Sequence, residues 1–515
     1  MPLQTAEPAP PKPDSELEHV DVLIVGAGLS GIGAACHLQA RCPSKSYAIL
    51  EAREAIGGTW DLFRYPGIRS DSDMYTLGYS FRPWRQDRSI ADGASIRDYV
   101  RDTAREHDVE RHIRFGQRVV RAEFSSEEAR WSVEAERADT GERVSIGASF
   151  LLMCSGYYRY DEGYSPQFAG IERFQGEVVH PQHWPEELDY AGRRVVVIGS
   201  GATAVTLVPA MAQRAAHVTM LQRSPSYVLS LPAVDPLARL VRRLLPEERA
   251  YALVRWKNVL LATLVYQLSR RRPGFVKGLI RRGLERQLPP GYDIDTHFKP
   301  TYDPWDQRLC LVPDGDLFAA IAAGRASVAT DTIDSFTEHG IRLSSGAELD
   351  ADVVVTATGL NLLLLGGASF AVDGREVDLS RTMAYKGMML SGVPNMAMAL
   401  GYTNASWTLK CDLTCEYVCR LLNHMDAHGH RVCEPHNSDP TVREQPLIDF
   451  SSGYIQRSIH QFPKQGSKTP WRLRQNYPLD ILHLRRSPIE DGAMRFAGAP
   501  LAAPSPSVER EALPV

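Results

Sequence analysis

The apolar positions of this chain fall in short, nearly unbroken runs that stop at glycine. Val20 to Val25, interrupted only by Asp21, is followed at once by Gly26, Gly28 and Gly31, then by small residues through Ala34 and Ala35. Such a run reads as a strand buried on both faces, and the small residues after it as a helix packed closely on that strand. Tyr47 to Leu50 is a second run, ending in Glu51. The pattern then returns. Arg194 to Ile198 leads into Gly199, Gly201 and Ala204 and a helix reaching about Arg214, and the next strand ends in Met220, Leu221, Gln222, Arg223 and Ser224. Two more strands run into glycine: Phe150 to Met153 ahead of Gly156, and Asp352 to Val355 ahead of Gly359. Strand, glycine turn and helix in this repeated order predict an α/β fold with two Rossmann-like dinucleotide-binding domains.

Each glycine has a physical task. In G-x-G-x-x-G the first permits the tight turn, the second lets backbone approach a pyrophosphate, and the third lets helix pack on strand, while the helix N-terminus supplies partial positive charge. Gly26, Gly28 and Gly31 fill these places in the first unit, and Gly199, Gly201 and Ala204 in the second. Glu51 stands where an acid accepts hydrogen bonds from ribose hydroxyls. In the second unit that acid is replaced. Gln222, Arg223 and Ser224 offer donors that a ribose 2′-phosphate needs, so the second nucleotide reads as NADPH rather than NADH.

The stretch from Val234 to Tyr302 fits neither unit. It has helical periodicity punctuated by proline, and from Arg239 to Lys299 it holds 14 basic against 5 acidic residues. It predicts an inserted helical subdomain. A face of this charge is usually only solvated, and a weak contact with an anionic membrane surface or an acidic partner is the other reading. The rest of the composition removes function classes. With 43% hydrophobic and 23% charged residues, disorder, collagen and coiled coil are excluded. A net charge of −4 argues against a nucleic acid partner. Met1 to His19 lacks the basic start and apolar run of a signal peptide, and a cytoplasmic protein is expected.

The eight cysteines are scattered, with no metal-type pairs, and no metal site is expected. Cys411, Cys415 and Cys419 fall at helical spacing and read as core packing. A flavin and NADPH together serve either a redox-active dithiol or oxygen. The dithiol needs a close cysteine pair, yet Gly57, Gly58 and Thr59 are followed by Trp60, and the next cysteine is Cys154. Cys36 and Cys42 read as core and helix-end residues of the first Rossmann helix. Oxygen chemistry is left.

Phe174, Gly176, His180, Trp184 and Pro185 then reproduce F-x-G-x-x-x-H-x-x-x-W-P just ahead of the second glycine motif. Here the chain resembles the type I Baeyer–Villiger monooxygenases. Gly57, Gly58, Trp60, Tyr65, Pro66, Gly67 and Asp71 resemble a second signature of that family, and Asp303 to Arg308 is similar to its EthA-type FAD-containing members. The resemblance spans Val20 to about Arg495. It implies FAD and NADPH as cofactors and molecular oxygen as co-substrate. The implied reaction turns an apolar ketone into an ester or lactone through a flavin C4a-peroxide, and a sulfur-containing small molecule (a sulfide or thioamide) is the second substrate class. It also implies that Arg308 holds the anion and contacts NADPH, and that Asp71 pairs with Arg308. Gly58, Trp60 and Asp71 join the first glycine motif and Glu51 at FAD; Arg223 and Ser224 join the second at NADPH. His180 reads as a hinge residue rather than a proton-transfer base. Gln307 stands where the family often has lysine, which throws more of the NADPH preference onto Arg223 and Ser224. Gly401 to Ser406 is expected beside the isoalloxazine.

The expected domain map is a tail over 1–19, an FAD domain over 20–165 and 380–496, an NADPH domain over 166–233 and 308–379, the helical insertion over 234–307, and a tail over 497–515. Two rival functions stand beside the main one. The first is an N- or S-oxygenating flavin monooxygenase acting through hydroperoxyflavin, which an arginine beside the peroxide disfavours. The second is an NADPH-binding sensor without enzymatic activity.

Overall fold

The computed structural model describes residues 18–307, 309–448 and 452–498. Arg308 and most of both expected tails lie outside these residues. The first strand, His19–Val25, sits inside a nine-stranded sheet, parallel to Tyr47–Leu50 on one side and to Arg143–Met153 on the other. Val22, Leu23 and Ile24 are fully buried, as a strand covered on both faces requires. Helix Leu29–Arg41 covers one face and is itself covered by helix Trp407–His428. Cys411, Cys415 and Cys419 of that second helix are buried, as their spacing predicts. The antiparallel strands Gln117–Ser125 and Arg130–Arg137 extend the sheet.

The second sheet has five parallel strands in the order Ala326–Thr330, His217–Gln222, Arg194–Ile198, Val353–Thr356 and Glu177–Val179. Val195, Val196 and Val197 at its centre are buried on both faces. Both nucleotide units therefore take the doubly wound form, with the glycine turn at the carboxyl end of the central strand.

The chain crosses between the units twice, and the crossings pair with each other. Tyr158–Gly163 runs antiparallel to Leu360–Leu362, with Leu360 opposite Gly163 and Leu362 opposite Tyr158. The Tyr164 N–H donates to the Gly359 carbonyl at 3.1 Å. One boundary differs from expectation. Ser369–Val372 lies parallel to Gln117–Ser125 in the first sheet, so the chain has rejoined the FAD unit well before 380. Phe370 explains the early return, since it is buried against Trp131 with ring centroids 6.3 Å apart.

The insertion folds as helices Pro236–Leu244, Glu247–Arg271, Pro273–Gln287 and Ile294–His297. It does not belong to one unit. Tyr251, Val254 and Val259 enter the core of the first, whereas Val276, Ile280 and Leu284 enter the core of the second. Arg255 pins the long helix inward. Its buried guanidinium donates to the carbonyls of Tyr75 (2.8 Å) and Gly78 (2.7 Å) and pairs with Asp412 at 3.4 Å. Asp412 also meets His37 at 3.2 Å and accepts the Ser80 N–H at 3.0 Å. Burial alone would raise the Asp412 pKa, and the His37 contact with the Arg255 charge holds it below the ordinary value. Among the described residues no helix is long and apolar enough to cross a membrane.

Candidate active site

The first glycine turn is held by backbone contacts that admit no side chain. A Cβ on Gly26, whose φ is +105°, would lie 2.7 Å from the Cys154 carbonyl oxygen, and one on Gly31 would lie 1.8 Å from that of Gly26. Gly28 differs. Its Cβ position meets Gly58 Cα at 3.5 Å, so the backbones of the two glycine segments approach closely. Helix Leu29–Arg41 starts there without a side-chain cap, leaving its first N–H groups to a ligand phosphate. The buried Glu51 carboxylate accepts the Ala27 N–H at 2.6 Å and the Arg53 N–H at 2.9 Å. It clamps the turn, and each oxygen keeps a lone pair for a ribose hydroxyl. Burial raises its pKa despite those two donors.

Behind Gly57 and Gly58 lies a charge cluster that sequence reasoning missed. Asp61 is buried and contacts Arg53 (2.6 Å), Arg101 (2.8 Å) and Arg64 (3.4 Å). Arg64 also reaches Glu186 at 3.5 Å, so Arg53 and Arg101 are the guanidinium groups placed here to meet a pyrophosphate. Arg53 Nε is buried without a hydrogen-bond partner. Only the Gly-Gly-Thr-Trp context pointed here, because the arginines are scattered along the chain. The residues thus fit FAD. Trp60 is half-buried against the first core. Asp71 is half-buried on the loop after Tyr65, Pro66 and Gly67, where its charge adds to the burial that raises the Tyr65 pKa. That loop docks on the second unit: a Cβ on Gly67 would lie 2.6 Å from Ala210 Cβ.

The second turn repeats the geometry. A Cβ on Gly199, with φ +138°, would lie 2.3 Å from the Ala357 carbonyl, whereas nothing comes within 4 Å of one on Gly201. Ala204 is fully buried. Ser200 Oγ lies 2.9 Å from Ser226 Oγ and 3.1 Å from the Ser224 carbonyl oxygen, tying the turn to the loop that carries Arg223. Arg223 and Ser224 are exposed at the strand end. Gln222 is a correction. It points inward, and its amide donates to the His297 carbonyl and to Thr330 Oγ1, both at 2.8 Å, so it cannot serve a phosphate.

The F-x-G-x-x-x-H-x-x-x-W-P residues surround the crossing ribbon and the edge of the second sheet. Phe174 packs edge-on against Phe336 at 5.9 Å. A Cβ on Gly176 would meet the Asp352 carbonyl at 2.5 Å. The His180 ring lies against Gly163, where an added Cβ would come 2.0 Å from its Cε1. His180 Nδ1 accepts the Gln182 N–H at 3.2 Å, and burial lowers the imidazole pKa. Trp184 stands edge-on to Tyr190 at 6.4 Å, and Pro185 is exposed.

A cavity opens beside the first unit, lined by Tyr157, Leu400, Tyr402, Trp407, Leu447 and Tyr454 among others. Tyr157 and Trp407 stack at 5.1 Å, and Trp407 Nε1 donates to Ser30 Oγ at 2.9 Å, which anchors this wall to the first Rossmann helix. Gly401, Tyr402 and Thr403 of the Gly401–Ser406 segment line it. Asn404 Nδ2 donates to the Gln475 carbonyl at 2.9 Å, while its buried Oδ1 has no partner, an acceptor left for a bound group. Arg308 lies outside the described residues, so its pairing with Asp71 rests on the sequence.

Residues 20–364 match the model of the family described as "Flavin-binding monooxygenase-like". The chain belongs to this family. Within the flavin-binding monooxygenase-like family it is similar to the FAD-containing monooxygenase EthA of Mycobacterium tuberculosis, 58% identical over 484 residues that cover 94% of this chain and 99% of that protein. The EthA of Mycolicibacterium smegmatis is 55% identical over 480 residues, covering 93% of this chain and 97% of its own. Among solved structures, an oxidized steroid monooxygenase bound to NADP superposes with a TM-score of 0.73 at 22% identity, covering 93% of this chain and 99% of that chain. A cyclohexanone monooxygenase from Rhodococcus bound to NADP⁺ gives 0.68 at 20% identity, covering 82% and 87%. These last two establish the paired Rossmann architecture and nothing finer.

Proposed function

We propose that this flavin-dependent monooxygenase carries out Baeyer–Villiger oxidation. It takes FAD and NADPH, consumes molecular oxygen, and places one oxygen atom next to the carbonyl of an apolar ketone, with sulfides or thioamides as further substrates. The observation that carries this reading is the F-x-G-x-x-x-H-x-x-x-W-P set. Its His180 packs on the ribbon that joins the two nucleotide units, against Gly163, and its Phe174 packs on Phe336 in the core of the second unit.

Bound FAD supplies the redox chemistry, taking hydride from NADPH and activating oxygen. The chain's own residues do the rest. Gly28 and Gly58 bring their two backbone segments together, and Arg53 and Arg101 beside them address the pyrophosphate. Glu51 offers its free lone pairs to the ribose. Gly201 leaves backbone open at the second turn, where Arg223 and Ser224 address the 2′-phosphate. Tyr157, Tyr402 and Trp407 give the cavity an aromatic lining that favours an apolar substrate. Arg308 is assigned the developing negative charge, with Asp71 orienting it. A fixed positive charge favours attack by an anion on a carbonyl over attack by a neutral electrophile on nitrogen or sulfur.

The test is product analysis. Purified protein with NADPH and ¹⁸O₂ is given linear, cyclic and aryl ketones and a sulfide. Labelled ester or lactone, with NADPH oxidation stimulated by ketone, is expected. Sulfoxide alone, with every ketone recovered unchanged, would assign the enzyme to heteroatom oxygenation.

A further inference from the structure

Helix Glu247–Arg271 is apolar on two sides. Its inward side, with Tyr251, Val254 and Val259, belongs to the core. Its outward side carries Leu253, Trp256, Leu260 and Leu264, spaced three or four residues apart and 43–63% exposed. Helix Pro236–Leu244 packs beside it and exposes Leu237, Leu240 and Leu244, the last at 71%. At the other flank Trp256 meets Tyr477, ring centroids 6.1 Å apart, on a helix whose Leu479 and Leu482 are exposed as well. Among the described residues, every exposed large apolar side chain except Phe81, Phe115 and Val178 lies on 231–279 or on that adjoining helix. Single exposed leucines are ordinary, but a contiguous group of this size marks a surface that meets something other than water.

The charges around the patch say what that is. Most acids of the insertion are already taken, Asp235 by Lys257, Asp303 by Lys277, Asp306 by Arg270, and Asp295 by Arg281 and Lys299, which leaves Glu248 and Asp293. Arg243, Arg249, Arg271, Arg272 and Arg282 stay exposed, and among the described residues no carboxylate of this chain is within ion-pair range of them. Arg249 opens the leucine stripe and Arg271 with Arg272 closes it. A second copy related by a two-fold axis would meet these five arginines with only Glu248 and Asp293 of the insertion to offer. A surface of anionic lipid satisfies both features, with leucines entering the acyl boundary and arginines meeting the headgroup phosphates.

We propose that this face seats the enzyme in the plane of an anionic membrane surface. With no crossing helix among the described residues, the enzyme lies on the bilayer rather than through it. The proposal is independent of which substrate is oxidised. The FAD-loaded full chain is sedimented with vesicles of phosphatidylcholine alone and of phosphatidylcholine mixed with phosphatidylglycerol, at low and high salt. Binding to the mixed vesicles, weakened by salt, is expected. Leu260→Asp with Leu264→Asp should reduce it by about tenfold or more, and so should Arg271→Glu with Arg272→Glu. All four positions are exposed, and retained FAD absorbance checks that each variant is folded. No sedimentation with the mixed vesicles at low salt would overturn the proposal, as would binding that both variant pairs leave unchanged. A concentration-dependent dimer that Leu260→Asp dissolves, without vesicle binding, would assign the face to a second copy instead.

Discussion

Replacing Arg223 by alanine should separate the two nicotinamide nucleotides. NADPH differs from NADH only by its 2′-phosphate, and on the side of the second glycine turn little else in the chain is free to meet it. Gln222 is committed inward, and Gln307 brings no charge. A charge-assisted hydrogen bond is worth about 1.5–3 kcal/mol. Arg223 is exposed, and screening over about 10 Å at 0.1 M salt places its contribution at the lower end. The loss is then about 1.5 kcal/mol, or roughly tenfold in NADPH affinity, with NADH changed less than about twofold. Stopped-flow reduction of the flavin, with each nucleotide varied in turn, measures both. The NADPH loss should shrink as salt is raised, because the wild-type contact weakens. Equal losses with both nucleotides would refute the reasoning and make Arg223 a structural residue of the strand end.

Arg308→Ala should keep FAD and still be reduced by NADPH, yet release hydrogen peroxide in place of oxygenated product; coupled oxygen-uptake and product assays check this, and product at near wild-type rate would end the assignment. Asp412→Ala strands the buried Arg255 and should cost about 3–5 kcal/mol in urea denaturation; Asp412→Asn, which keeps an acceptor for the Ser80 N–H, should cost less. His180 is held neutral by burial, so its folded pKa lies below the unfolded value of about 6.5. Its contribution is present above that pH and lost as pH falls through it toward the folded pKa, because the unfolded chain takes the proton first. Thermal unfolding from pH 7.5 downward should show this loss, and His180→Gln should flatten it.

The paired Rossmann plan was legible because each glycine motif needs one backbone geometry, and the strands around it are buried on both faces and so uninterrupted by polar residues. Cys411, Cys415 and Cys419 were legible by spacing alone. Gln222 was not: at a strand's last residue, one position separates an inward from an outward side chain, and nothing local marks which it is. The Asp61 and Asp412 clusters draw partners from far along the chain, and no local pattern encodes a buried ion pair of that span. The return of the chain at Ser369 was hidden for a similar reason, since Phe370 finds its place only beside Trp131. In the insertion, an excess of arginine was plain, but a helix apolar on two sides cannot be told by pattern from one buried all round.

The crossing ribbon has a mechanical consequence. One covalent link between two bodies behaves as a swivel. Two links hydrogen-bonded side by side, as Tyr158–Gly163 and Leu360–Leu362 are, remove twisting and leave bending about a single line. The imidazole of His180 lies against that line at Gly163, and the Gly67 loop meets Ala210 away from it. The ribbon by itself would leave the two units one angle of relative movement, and the insertion, whose helices enter both cores, ties that angle as well.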